Sequence, residues 1–159
     1  MRIFIDSSIF LKLLFDEPGA DKAREILEMV EYGKVLGYVT PMILEEVSFK
    51  LVFAKVSELL NTKSIWRIRE ALKLDEMVRN ECVKLLREFH SYIEFMLSRG
   101  LRVEYVMYDD WLNALDFIGR YGLLPADAIH LAVALRVKAR AIATFDEDFR
   151  VVKEINVIP

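Results

Sequence analysis

Residues 2–15 read RIFIDSSIFLKLLF, and the fold turns on how that stretch changes its period. RIFI is a short apolar run of the kind that forms a strand buried on both faces, and Asp6 ends it. Ser7 and Ser8 then precede IFLKLLF, whose apolar spacing is helical. Strand, polar turn and helix are the opening of a β/α unit. The order recurs down the chain. ADKAREILEMVEYG (20–33) reads as an amphipathic crossover helix, with Ala23, Ile26, Leu27 and Val30 on one side and Gly33 near its end. VLGYV (35–39) is a second strand, after which Thr40 as N-cap and Pro41 at the first helical position open MILEEVSFKLVFAKV. LRVEYVMY adds a strand, DWLNALDFIGRYG a helix stopped by Gly122, and LLPADAIHLAVALRVK a helix entered through Pro125. ARAIATF is a buried-type strand, DEDFRVV a short turn or helix, and INVIP a terminal strand.

Alternating strands and helices predict an α/β chain: a three-layer α/β/α sandwich around a central, mostly parallel sheet of about four to five short strands. No linker or repeat interrupts it, so residues 1–159 are expected to form a single domain, with a helical segment at about 57–99 that could form a hairpin. At 159 residues and 54% apolar content there is ample core material, and disorder is not expected. The net charge of −3 argues against a broad attraction for polyanions, unless the acidity is gathered where a metal neutralises it and a local basic rim remains. Cys82 is the only cysteine, which excludes an intramolecular disulfide and a multi-cysteine zinc site, and it reads as a packed hydrophobe. His90 and His130 are too few for a histidine-based metal site. No apolar stretch reaches about 18 residues and no signal core follows Met1, so the expectation is a soluble, cytoplasmic protein with no membrane partner.

Four acids stand at one kind of place. Asp6 ends the first strand, Glu46 lies early in the helix after the second, Asp127 opens the helix DAIHLAVAL, and Asp146 ends the strand AIATF. Each has a purely structural explanation. Asp6 or a neighbouring serine caps a helix, Glu45 and Glu46 complement a helix dipole, and Asp127 does either. One of Asp146 and Asp148 caps the turn that follows, leaving the other, Asp146 by preference, for a ligand. Glu46 differs from Glu45 in lying on an apolar stripe with Met42, Phe49 and Phe53, where a charge needs a partner. The same explanation repeated at the same end of successive β/α units is less economical than convergence at the carboxyl edge of a parallel sheet, where such folds bind ligands. Clustered carboxylates repel unless a cation neutralises them, and their oxygens suit Mg²⁺ or Mn²⁺. A metal-dependent phosphodiesterase is the leading expectation.

The ordered set FIDSSIF, TPMILEEVSFKL, LLPADAIHLAVAL and ATFDEDF resembles the successive acidic motifs of PIN-domain nucleases, and the likeness runs essentially from Met1 to Pro159. The resemblance implies a Mg²⁺- or Mn²⁺-dependent ribonuclease, similar to the toxin half of VapBC toxin-antitoxin pairs, that leaves a 5′-phosphate. It places the catalytic and metal-binding acids on Asp6, Glu46, Asp127 and Asp146, a variable further acid on Asp148, and supporting hydroxyls on Ser8 and Thr144. Asp6, Asp127 and Asp146 would hold one or two ions, and Glu46 would join them or position the attacking water. Lys12, Lys50 and Lys55 are candidates for the RNA backbone or ordinary solvated helix charges. It further implies an RNA substrate, a small antitoxin protein and a homodimer; the amphipathic helices between Ala20 and Leu74 are the expected antitoxin dock, and apolar Trp111, Leu115 or Ile118 the expected dimer surface. Two alternatives stand beside it: a non-catalytic PIN-like module that binds RNA or protein, and a nuclease of RNA maturation. Aspartyl phosphoryl transfer is disfavoured, because it needs an acid two residues after Asp6 and Ser8 stands there.

Overall fold

The structure is a computed structural model describing residues 1–159. It divides into two compact units, residues 1–44 with 96–159, and residues 45–95. The first unit contains the sheet. Its strands are β1 (Arg2–Ile5), β2 (Leu36–Val39), β3 (Leu101–Val103), β4 (Ala141–Ala143) and β5 (Asn156–Ile158), all parallel, in the order β3-β2-β1-β4-β5. β1 is central, and Ile3, Phe4 and Ile5 are wholly buried, which is why that run carries no polar alternation.

Helices cover both faces of this sheet. α1 (Ser7–Leu14) and α2 (Ala20–Glu31) connect β1 to β2, whereas α6 (Tyr108–Tyr121) and α7 (Pro125–Arg136) connect β3 back across the sheet to β4. Right-handed crossovers in opposite directions put the two pairs on opposite faces. Packing agrees. The Phe4 ring lies 5.8 Å from that of His130 on α7, while the next residue, Ile5, points the other way. A Cβ added to Gly37 of β2 would meet Ile5 at 2.7 Å and Val30 of α2 at 3.0 Å, so β2 must be bare there for α2 to approach. The predicted three layers are present, with five strands.

The strand expected over LRVEYVMY is only β3; Glu104 N still donates to the Val39 carbonyl at 2.8 Å, and residues 105–107 leave the sheet. Their backbone is pulled away by Asp110, 1% exposed, which accepts a hydrogen bond from Met107 N at 2.8 Å and is gripped by Arg136 from α7 through Nε at 2.9 Å and Nη2 at 3.0 Å. Arg136 also donates to Glu104 and to the Tyr105 carbonyl, clamping the loop to the far end of α7. The paired carboxylates hold the guanidinium charged and raise its pKa further above the ordinary arginine value.

The second unit is helical: the greater part of α3 (Pro41–Leu60), α4 (Ile65–Leu74) and most of α5 (Glu76–Arg99). The helix expected from Pro41 is present and runs on to Leu60, and a break at residues 61–64 and a joint at Asp75 divide the expected helical segment. Val56, Ile68, Val78 and Cys82 form a small core here, with Val52, Phe53, Ala71 and Leu72 against it. Cys82 is the packed hydrophobe expected, and burial pushes its thiol pKa up.

Candidate active site

The strand order reverses direction between β1 and β4, and in open α/β sheets the crevice beyond the strand ends at such a point is the ligand site. Asp6 follows β1 directly. Its N–H donates to the Ala143 carbonyl at 3.0 Å, which extends the β1–β4 ladder and fixes the backbone from which the carboxylate projects.

That carboxylate is held by one oxygen. Oδ2 accepts from Ser8 N at 3.2 Å, Ser8 Oγ at 2.6 Å and Thr144 Oγ1 at 2.8 Å. Each hydroxyl has a single proton, and both are spent on Asp6, so the 3.3 Å approach of Ser8 Oγ to Thr144 Oγ1 is two oxygens converging on one acceptor. Their lone pairs are used in turn: Phe145 N donates to Ser8 Oγ at 3.0 Å and Asp146 N to Thr144 Oγ1 at 2.9 Å. Oδ1 accepts no hydrogen bond from the protein and is not sealed from solvent. Asp6 is only 7% exposed, so a locked carboxylate offers one free oxygen at the crevice.

Asp6 is at once helix cap and site acid: its bond from Ser8 N caps α1. Asp146 doubles similarly. The expectation that one acid of 146 and 148 caps while the other remains available is corrected, since Asp146 Oδ1 itself caps the following 3-10 helix (Glu147–Val151) by accepting from Asp148 N at 2.9 Å. Its Oδ2 takes no such bond, and Asp148 is exposed. Asp127 is half-buried in the first turn of α7, behind Pro125 at the first helical position. α7 returns the chain to the start of β4, so its beginning lies at the edge where the strands end, and the His130–Phe4 contact sets its first turns over β1. Asp6, Asp127 and Asp146 thus share one edge of one sheet. The amino ends of α1 and α7 open there too and favour an anion such as phosphate.

Glu46 lies on α3 in the second unit, half-buried, and its partner is Lys50 one turn on, at 2.7 Å. Lys12 and Lys55 are likewise paired, with Glu17 at 2.9 Å and Glu81 at 3.4 Å. All three lysines named from sequence are therefore partly neutralised. Missing from the sequence reading is Gly19. Its φ of +103° turns the chain between α1 and α2, and a Cβ there would meet the Phe145 ring at 2.8 Å. The dipeptide Pro18-Gly19 marks a turn by its residue types, but nothing local signals support for the residue whose N–H braces Ser8.

No three His, Cys, Asp or Glu side chains stand close enough together to hold a metal ion by themselves. The donors nevertheless fit a hard divalent cation. Mg²⁺ keeps several waters and is commonly bound by one or two carboxylates together with substrate phosphate, and Asp6 supplies a fixed carboxylate with an open oxygen.

Comparison with known proteins shows the family and the fold. The model of the PIN domain family matches residues 3–155. Ribonuclease VapC2 of Methanocaldococcus jannaschii is 26% identical over 157 residues, 99% of this chain and 93% of that one. Among solved structures, VapC20 of Mycobacterium tuberculosis, described as a sarcin-ricin loop cleaving toxin, superposes with a TM-score of 0.61 at 19% identity, covering 99% of both chains. A toxin-antitoxin complex from Klebsiella pneumoniae contains a chain with a TM-score of 0.56 at 16% identity, covering 99% of this chain and 96% of that one. With its model spanning nearly the whole sequence, this chain belongs to the PIN domain family.

Proposed function

We propose that this protein is a divalent-metal-dependent endoribonuclease, the toxin half of a toxin-antitoxin pair. The observation that carries the reading is the Asp6 carboxylate, with one oxygen locked by Ser8 and Thr144 and the other open at the switch point of the sheet. The ribonuclease name of a relative aligned over nearly its whole length supports it, as do toxin-antitoxin structures among those sharing the fold.

In this reading Ser8 and Thr144 are positioning residues. They fix Oδ2 of Asp6 and so aim Oδ1 into the crevice. Asp6, Asp127 and Asp146 hold the ion, Mg²⁺ or Mn²⁺, directly or through water, with Asp148 available as a further, exposed acid. A bound divalent ion lowers the pKa of a water, shields the phosphate and stabilises charge on the leaving oxygen. Glu46 enters by its motif position and orients the attacking water, its carboxylate buffered by Lys50. The amino ends of α1 and α7 face the phosphate.

An antitoxin and a second copy of the chain complete the proposal. For the second copy the surface is α6, where Tyr108, Trp111, Leu112 and Leu115 are exposed at spacings of three and four, and Tyr108 stacks on Trp111 at 5.9 Å; Ile118 is half-buried. No helix is long and apolar enough to cross a membrane.

The test is to incubate the pure protein with labelled structured and single-stranded RNAs in Mn²⁺, Mg²⁺ or chelator and to map the ends. Metal-dependent cuts leaving 5′-phosphates are expected. RNA binding without cleavage, with metal demonstrably bound, would instead favour a non-catalytic module.

A further inference from the structure

We propose that helix α4 is a single-stranded RNA grip, with Trp66 as the stacking platform and Arg67, Arg69 and Lys73 as the phosphate contacts. The inference takes RNA as the ligand from the ribonuclease reading and goes beyond it to a binding site in the helical unit, apart from the acidic motifs.

Trp66 is 73% exposed, an unusual position for the largest apolar side chain. Only Ile68 of α4 is buried, so one side of the helix anchors it and the other is free. The free side presents Trp66, Arg69 and Lys73 at spacings of three and four, with Arg67, Glu70 and Leu74 flanking, around a shallow cleft of about 470 Å³. The Arg69 guanidinium lies 5.5 Å from the Trp66 ring centre, a cation–π contact that holds charge and aromatic face side by side.

Charge decides which partner suits this face. From Lys63 to Lys73 there are four basic side chains and one acid, Glu70, a local balance of +3 in a chain whose total is −3. No ion pair neutralises any of the four, although Lys50 and Lys55 on the preceding helix are paired. Asp75, next in sequence, is occupied in capping α5, accepting from Met77 N at 2.9 Å and Val78 N at 3.2 Å. The end of α4 is fixed in turn by Arg79, which donates to the Lys73 carbonyl at 2.9 Å. Unpaired cations interleaved with an exposed indole on a firmly seated helix match the way single strands are held, by backbone charge and base stacking, and fit an apolar peptide poorly. An acidic protein segment shares the charge but not the need for a flat aromatic face.

The experiment uses the full-length chain with Asp6→Asn and chelator, so that binding is read without cleavage, and adds Trp111→Phe so that Trp66 is the only tryptophan. Oligo(U) titration should quench Trp66 fluorescence. Replacing Arg67, Arg69 and Lys73 together by Gln, which keeps the helix propensity, should weaken oligo(U) binding at least tenfold and reduce the slope of log affinity against log salt by about 2. Trp66→Leu should weaken it roughly tenfold with the salt slope kept. An unquenched Trp66, or unchanged affinity and slope in the Gln variant, overturns the inference. So does poly-glutamate binding as tightly as oligo(U) and quenching as strongly, which would make the face an acidic-protein dock. If wild type cuts no RNA in Mn²⁺ while α4 still holds oligo(U), the proposed activity fails and the grip stands; cleavage with an indifferent α4 gives the reverse.

Discussion

Thr144→Val removes one atom that serves two acids. The hydroxyl donates to Asp6 Oδ2 at 2.8 Å and accepts from Asp146 N at 2.9 Å, and Thr144 is 3% exposed, so water has little room to replace it. A hydrogen bond to a charged group contributes about 1.5–3 kcal/mol. The lower end applies, because Ser8 still gives Asp6 two donors. The orphaned Asp146 N–H, half-exposed, adds roughly 0.5–1 kcal/mol, and the new buried methyl returns up to about 1 kcal/mol. A net loss of about 1–2.5 kcal/mol should lower the melting temperature of a chain this size by roughly 2–10 °C. The larger effect should be functional. Asp6 loses one of the three donors that hold its Oδ2 and the Asp146 backbone loses its tether, and groups that orient metal ligands typically contribute 10- to 100-fold in metal affinity or activity. The assay is RNA cleavage against Mn²⁺ concentration, with half-saturation and maximal rate fitted separately, beside calorimetric melting. Half-saturation should rise tenfold or more in Thr144→Val and only a few-fold in Thr144→Ser, which keeps the hydroxyl. Wild-type half-saturation in the Val variant would refute the claim that this hydroxyl positions the site.

Arg136→Ala leaves Asp110 buried and unpaired; breaking a buried pair costs about 3–5 kcal/mol, and the partial exposure of Arg136 favours the low end, so calorimetry should show a fall of roughly 6–12 °C while Mn²⁺ half-saturation, set at the opposite end of α7, stays put. Tyr121 donates to Glu154 at 2.5 Å, which lowers the Glu154 pKa from its ordinary 4.5 and raises that of Tyr121 from its ordinary 10.0. The Glu154 contribution to stability is therefore present above pH 4.5 and lost as pH falls through the lowered value, while the Tyr121 contribution is present below pH 10.0 and lost as pH rises through the raised one. Ultraviolet difference titration should find one late-titrating tyrosine in wild type that is missing in Tyr121→Phe, and melting curves of that variant should depend less on pH at both extremes. Trp111→Glu should convert a dimer to a monomer in light-scattering chromatography; an unchanged mass would remove α6 as the dimer face.

The early β/α unit and the acids were legible because both are local. An arginine and the apolar run Ile3–Ile5, leading into Asp6 and two serines, specify the central strand, the turn and the helix cap in seven residues. Pro125 at the first turn of α7 and Gly122 at the end of α6 were equally plain, each through one backbone property. What the text could not give were contacts between distant segments. Asp110 reads as one of two acids opening a helix, and only the fold brings Arg136, 26 residues on, to grip it, so the shortening of β3 had no local cause to find. The division at Glu45 falls inside a continuous helix, where periodicity carries no boundary. Ser8 and Thr144 were named by resemblance, but their joint hold on a single oxygen depends on β1 and β4 being neighbours.

The most direct measurement is calorimetric Mn²⁺ titration of wild type and Asp6→Asn, with RNA cleavage followed in the same solutions. Asp6→Asn keeps shape and burial while removing the charge, so the variant should remain folded, bind Mn²⁺ at least tenfold more weakly and lose cleavage. A folded Asp6→Asn protein that binds Mn²⁺ like wild type and still cuts RNA would contradict the assignment of this crevice as the metal-dependent active site.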